Sequence, residues 1–361
     1  MLKPIPLLQN TSADRLIQLW TQRYVPDLST LSLNRGQLSV SEVIQAASPE
    51  ARTHTATKLQ RLLQTSCELA GIKMNVLFSY IPNVVNLSEA GRIARSTAQV
   101  YEKVLDIYKQ QSPLCASHAV QPQSEKIPIE ALSQWARQAI EFPNIQALAL
   151  AIEPQLLQLQ EQHLSSQDRR TLGFLSTQFH FSTKQVLNRL TLPEQVLLSP
   201  YFKFLEEQVC IPWQRVCAAA ERHQPNSPTL ALVEQLLPKS EEIALTVYRR
   251  AVELHPLHLS YRGRLSEPGV AASTLRDLNM FQAYLWLCVL ENSMTSIEEE
   301  LLPLCLMVFP CVEVKGELIE SMVQLLFETI LAHVDSKERF WVKSYTLAIQ
   351  ELFSNFEGKV A

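Results

Sequence analysis

Eight glycines serve a chain of 361 residues, about 2% where an ordinary domain carries roughly 7%. Glycine supplies positive φ and close backbone approach, so its scarcity limits turn-dense β structure and phosphate-cradling loops. The nearest two, Gly263 and Gly269, stand six residues apart with bulky and charged residues between them. No GxGxxG, GxxxxGK[ST] or GxSxG occurs anywhere in the chain, which removes the common nucleotide-loop and nucleophile-elbow signatures. What remains, 47% apolar and 19% charged with a net charge of −4, is rich in helix formers.

The expected fold is all-α: a smaller N-terminal helical unit followed by a larger multi-helix C-terminal bundle. Ser48-Pro49-Glu50 is a start signal, a capping hydroxyl followed by proline at the first helical position. The helix it opens is expected to run to Ala70 and stop at Gly71. Ser88 caps the next, with Ala98, Tyr101, Leu105 and Tyr108 along one stripe. Residues 111–128 hold three prolines and little periodicity, and read as a linker between domains 1–110 and 129–361. Further helices are expected near 128–142, 144–166, 167–178, 182–190, 194–210, 212–223, 228–237, 239–254, 271–292, 295–309, 315–333 and 336–355. Segment 255–270 reads as a long loop, a length often tied to function. No apolar run reaches the length of a membrane span.

The segment 168–190, DRRTLGFLSTQFHFSTKQVLNRL, resembles a helix-turn-helix. Leu175, Phe179, Phe181 and Val186 take four of its five apolar positions, Ser176 the small one, and Ser182 would cap the second helix. His180 stands where the turn usually has glycine. The resemblance implies a DNA face made of Thr183, Lys184, Gln185, Asn188 and Arg189, with Arg169 and Arg170 on phosphate.

Tyr261, Arg262 and Arg264 form a basic-aromatic tip in the long loop, residue types that favour partner surfaces. His255 and His258 flank Pro256, which breaks the helix that would align them, so no metal site is expected there. Glu298, Glu299 and Glu300 suit the first turn of a helix capped by Thr295 or Ser296. Seven cysteines without a CxxC read as buried free thiols of a cytoplasmic protein. From Glu291 to the last residue the chain has twelve acids against five bases, a candidate docking surface.

The expectation is therefore a non-enzymatic regulatory or assembly protein that acts through helical protein–protein surfaces. The alternative is a DNA-binding transcriptional regulator using 168–190. No catalytic motif, cofactor or small-molecule ligand is indicated.

Overall fold

A computed structural model of the chain describes residues 13–24, 38–79, 87–114, 129–163, 171–354 and 356. These residues form helices joined by short connections, with one two-stranded hairpin. The all-α expectation holds.

Two of the early helices begin on capping chemistry. α1 (Asp14–Thr21) is followed by a single 3-10 turn, Gln22–Tyr24. α2 (Val40–Ala46) opens on a capping box: Ser39 Oγ accepts from the Glu42 amide, and the Glu42 carboxylate accepts from the Ser39 amide at 2.7 Å. α3 (Pro49–Leu77) carries proline at its first position, and Ser48 Oγ accepts from the Ala51 amide at 3.3 Å. Its end is later than expected. Gly71 is a buried packing position facing Ala94, and the helix formers after it continue the ladder to Leu77. α4 (Leu87–Gln110) lies along α3. Arg52 of α3 donates to the carbonyls of Tyr108, at 2.9 Å, and of Gln111. A cation thus meets the orphan carbonyls at the end of α4, where the helix dipole favours it.

α5 (Ile129–Ala139) and α6 (Ile145–His163) lead to α7 (Thr171–Leu187) and α8 (Leu192–Cys210). α7 packs between α3 and α8, and α4 between α3 and α6. The later bundle comprises α9 (Trp213–Glu221), α10 (Pro228–Leu236), α11 (Ser240–Leu254), α12 (Pro268–Glu291), α13 (Leu302–Cys311), α14 (Gly316–Ala332) and α15 (Phe340–Phe353). α12 is its axis. Leu278 to Leu290 are buried without interruption, because α9, α10, α11 and α15 all pack on it.

One hydrophobic core runs from Leu16 to Phe356, so packing does not divide at the linker; residues 115–128 of that linker lie outside the described residues. A buried polar cluster ties the N-terminal turn to the later helices. Arg23 donates to Ser240 Oγ at 2.8 Å, Asn279 Oδ1 at 3.4 Å and Glu207 Oε1 at 3.4 Å, and stacks 4.9 Å from the centre of the Trp213 ring. Tyr24 donates to the other Glu207 oxygen at 2.6 Å and accepts from the Trp20 indole at 3.0 Å. Burial alone would lower the Arg23 pKa, but Glu207 beside it, together with Glu241 and Tyr24, outweighs that and holds it above the ordinary value. Burial and the same carboxylate push the Tyr24 phenol well up.

Candidate functional site

Residues 171–187 form one continuous helix, so the turn expected around His180 is absent. The reason is legible in the spacing. Leu175, Phe179 and Val186 recur at intervals that keep them on one helical face, all buried. No glycine or proline stands between Gly173 and Pro193, so nothing forces the chain to turn at His180. Ser182, the expected cap, sits inside the helix and accepts from Gln178 Nε2 at 3.2 Å. Thr183 is buried and shares a 2.7 Å hydrogen bond with the Tyr101 hydroxyl. Lys184, Asn188 and Arg189 are exposed and Gln185 is half-buried. Arg169 and Arg170 lie outside the described residues.

The segment expected as a long loop is partly ordered into a hairpin. α11 ends at Leu254, and Pro256 prevents its continuation. The His258 amide donates to the His255 carbonyl at 3.1 Å, turning the chain into β1 (Leu259–Ser260). β2 (Gly263–Arg264) returns antiparallel, pairing Leu259 with Arg264 and Ser260 with Gly263. Tyr261 and Arg262 form the tip. Gly263 takes φ +118°, a conformation that only glycine adopts readily. The Tyr261 amide donates to the Val312 carbonyl at 2.9 Å, fastening the tip to the end of α13.

The three residues singled out in this loop point to different places. Tyr261 and Arg264 are exposed. Arg262 turns inward: Nη1 donates to Ser273 Oγ at 3.0 Å and Nη2 to His180 Nε2 at 3.3 Å. A guanidinium has no acceptor, so His180 Nε2 accepts and its Nδ1–H donates to Glu206 Oε2 at 3.2 Å. Arg276 approaches the same carboxylate at 3.8 Å and clasps Asp277 Oδ1 at 2.9 Å. Burial alone would raise the Glu206 carboxyl, but His180 and Arg276 outweigh it and hold it below the usual range. The relay Arg262–His180–Glu206–Arg276–Asp277 thus joins the hairpin to α7, α8 and α12.

Beneath the hairpin lies an apolar cavity walled by α12, α13 and α14. Phe281, Phe309, Ile319, Val323 and Leu326 form its interior, and it leaves about 80 Å³ for the centres of water-sized spheres. His258, Ser260, Thr274 and Asp277 supply its polar atoms. The Nε2 of His258 is closed off from solvent and has no hydrogen-bond partner among the described residues. Burial, with Lys315 and His255 nearby, lowers the His258 pKa below the ordinary value, which favours the neutral imidazole.

Comparisons with protein-family models, curated proteins and solved structures find no match.

Other candidates resolve into structure. Glu298, Glu299 and Glu300 do open a helical segment, but neither Thr295 nor Ser296 caps it: Ser296 Oγ instead accepts from Arg215 at 2.8 Å. Arg215 also clasps Glu300 at 2.7 Å, so that acid is partnered. Burial pushes the thiols of Cys67, Cys210, Cys217 and Cys288 up to about 12, which leaves almost no thiolate near neutral pH. Among the described residues, no three His, Cys, Asp or Glu side chains are placed to hold a metal ion. Among the same residues, no helix is long and apolar enough to cross a membrane.

Sequence reasoning missed the cavity and His258's place in it. One signal was present: Ile319, Met322, Val323 and Leu326 share a face of α14, and that face lines the cavity. Which elements it meets depends on residues sixty positions upstream.

Proposed function

We propose that this chain is a non-enzymatic docking protein whose partner-contacting surface is the outer face of the hairpin. One observation carries the reading. Leu254, Leu257, Leu259 and Tyr261 are 60%, 87%, 61% and 63% exposed, although they lie close together in the chain and the hairpin beneath them is fastened in place. Large apolar side chains held at a surface gain most by burial against a partner. Tyrosine, with its large amphipathic ring, is a favoured anchor, and exposed Arg264 adds a charge at the rim. The partner that fits is a protein with an apolar socket and an acidic edge.

The test is purification of the full chain from its native host beside the variant Leu257→Asp/Leu259→Asp. Both sites face solvent, so the variant is expected to keep the parent's unfolding temperature. A protein that co-purifies with the parent and is lost from the variant supports the reading. The same retained protein in both, or none with either, overturns it.

A second reading, duplex DNA binding through 168–190, rests on the exposure of Lys184, Asn188 and Arg189 near the end of α7. It predicts salt-dependent duplex binding that weakens in Lys184→Ala/Arg189→Ala. Absence of duplex binding at low salt removes it.

A further inference from the structure

We propose that the cavity beneath the hairpin is a binding site for a small neutral hydroxyl compound, an apolar body of about five to eight carbon-sized units whose hydroxyl meets His258 and Asp277. The site is separate from the hairpin's outer face and does not depend on what that face docks.

Size comes first. The cavity's 80 Å³ for sphere centres compares with roughly 10–15 Å³ filled by one water-sized sphere. It therefore accommodates about five to eight water-sized groups in line or in a ring. Its walls are branched aliphatic side chains and two phenylalanines, which offer contact but no hydrogen bonds. A ligand filling it is mostly hydrocarbon.

Polarity narrows the class. His258 lines the cavity, and its Nε2 is buried without a partner. An imidazole nitrogen shut away from water loses free energy unless something bonds to it, and a ligand seated in the cavity can supply that bond. Asp277 also lines the cavity, and both hydrogen bonds from its neighbour Arg276 fall on Oδ1. One group facing a neutral imidazole and a carboxylate must donate to the carboxylate and can accept from, or donate to, the ring. A hydroxyl does both. A carboxylate ligand meets Asp277 with like charge. A cationic ligand competes with Arg276, which already neutralises Asp277 at 2.9 Å. Burying a charge without a full set of partners is costly, which leaves the neutral hydroxyl.

The experiment titrates the full-length chain by calorimetry with 1-butanol, 1-pentanol and 1-hexanol, and with hexanoate at pH 7.5. Saturable one-site binding is expected, tightening about fourfold per added methylene, with hexanoate at least tenfold weaker than 1-hexanol. His258→Phe, a half-exposed position, is expected to fold normally and to bind 1-hexanol about tenfold more weakly. Val323→Phe, which fills the cavity, is expected to abolish binding. No saturable binding of any alcohol overturns the site. Equal affinity for hexanoate and 1-hexanol, or undiminished 1-hexanol binding by folded His258→Phe, overturns the hydroxyl assignment. Should Val323→Phe fail to fold, the His258 variant and the ligand series still decide.

Discussion

The guanidinium of Arg262 donates a 3.3 Å hydrogen bond to Nε2 of His180, joining the hairpin tip to α7 across 82 positions of sequence. By sequence alone, His180 stands where the expected turn usually has glycine, and Arg262 has the character of a surface anchor. In the folded chain each one's role is to hold the other's element.

That contact predicts a measurable coupling. Arg262→Ala and His180→Ala each remove two hydrogen bonds and are each expected to destabilise the protein by about 1–3 kcal/mol, the usual net worth of two. The double variant is expected to cost less than the sum of the two. Urea denaturation of the four proteins checks it; strict additivity would show that the bond contributes nothing.

Among the described residues, Gly263 is the one glycine whose backbone demands glycine, at φ +118°. An added Cβ would also run into the Glu267 carboxylate. Gly263→Ala is therefore expected to cost about 1–3 kcal/mol in local stability. Amide exchange at Tyr261, which donates to Val312, should quicken in the variant. Unchanged protection there would count against a strained tip.

The Arg23 cluster makes a larger prediction. Arg23→Ala leaves the Glu207 carboxylate buried beside Tyr24 with its countercharge removed. The expected loss is about 3–5 kcal/mol, the range for breaking one side of a buried ion pair. Chemical denaturation checks it. A loss under 1 kcal/mol would mean that water reaches Glu207.

Acid sensitivity follows from two glutamates. Burial alone would raise the Glu194 carboxyl, but hydrogen bonds from Lys58, the Thr191 amide and Thr55 hold it below the ordinary value; Glu206 is lowered in the same sense. Carboxyls lowered in the folded state stabilise it above their unfolded pKa, about 4.3. That stabilisation is lost as pH falls through the folded values. Unfolding temperature should thus be insensitive to these groups above about pH 5 and drop below pH 4. In Glu194→Gln the drop should be shallower.

Local structure was largely legible from residue order. Ser48-Pro49 begins α3, and the apolar run after Leu278 is buried as its composition implies; the short α2 opened by Ser39 and Glu42 is not among the expected helices. These depend on neighbours within one or two turns, which sequence spacing specifies directly. The helix-turn-helix resemblance failed for a related reason. Leu175, Phe179 and Val186 satisfy that motif and also one face of a straight helix. Spacing alone does not separate the two without a glycine or proline to force a turn.

The scarcity of glycine by itself determined the helical class and excluded the usual glycine-built phosphate loops. Placement was decided only by tertiary structure. His258, Asp277 and Val323 meet at one cavity because the hairpin folds back over α12 and α14. Arg262 faces inward because α7 presents His180 to it. A side chain's periodicity tells which face of its own element it occupies; the element lying against that face is chosen by packing the whole core at once.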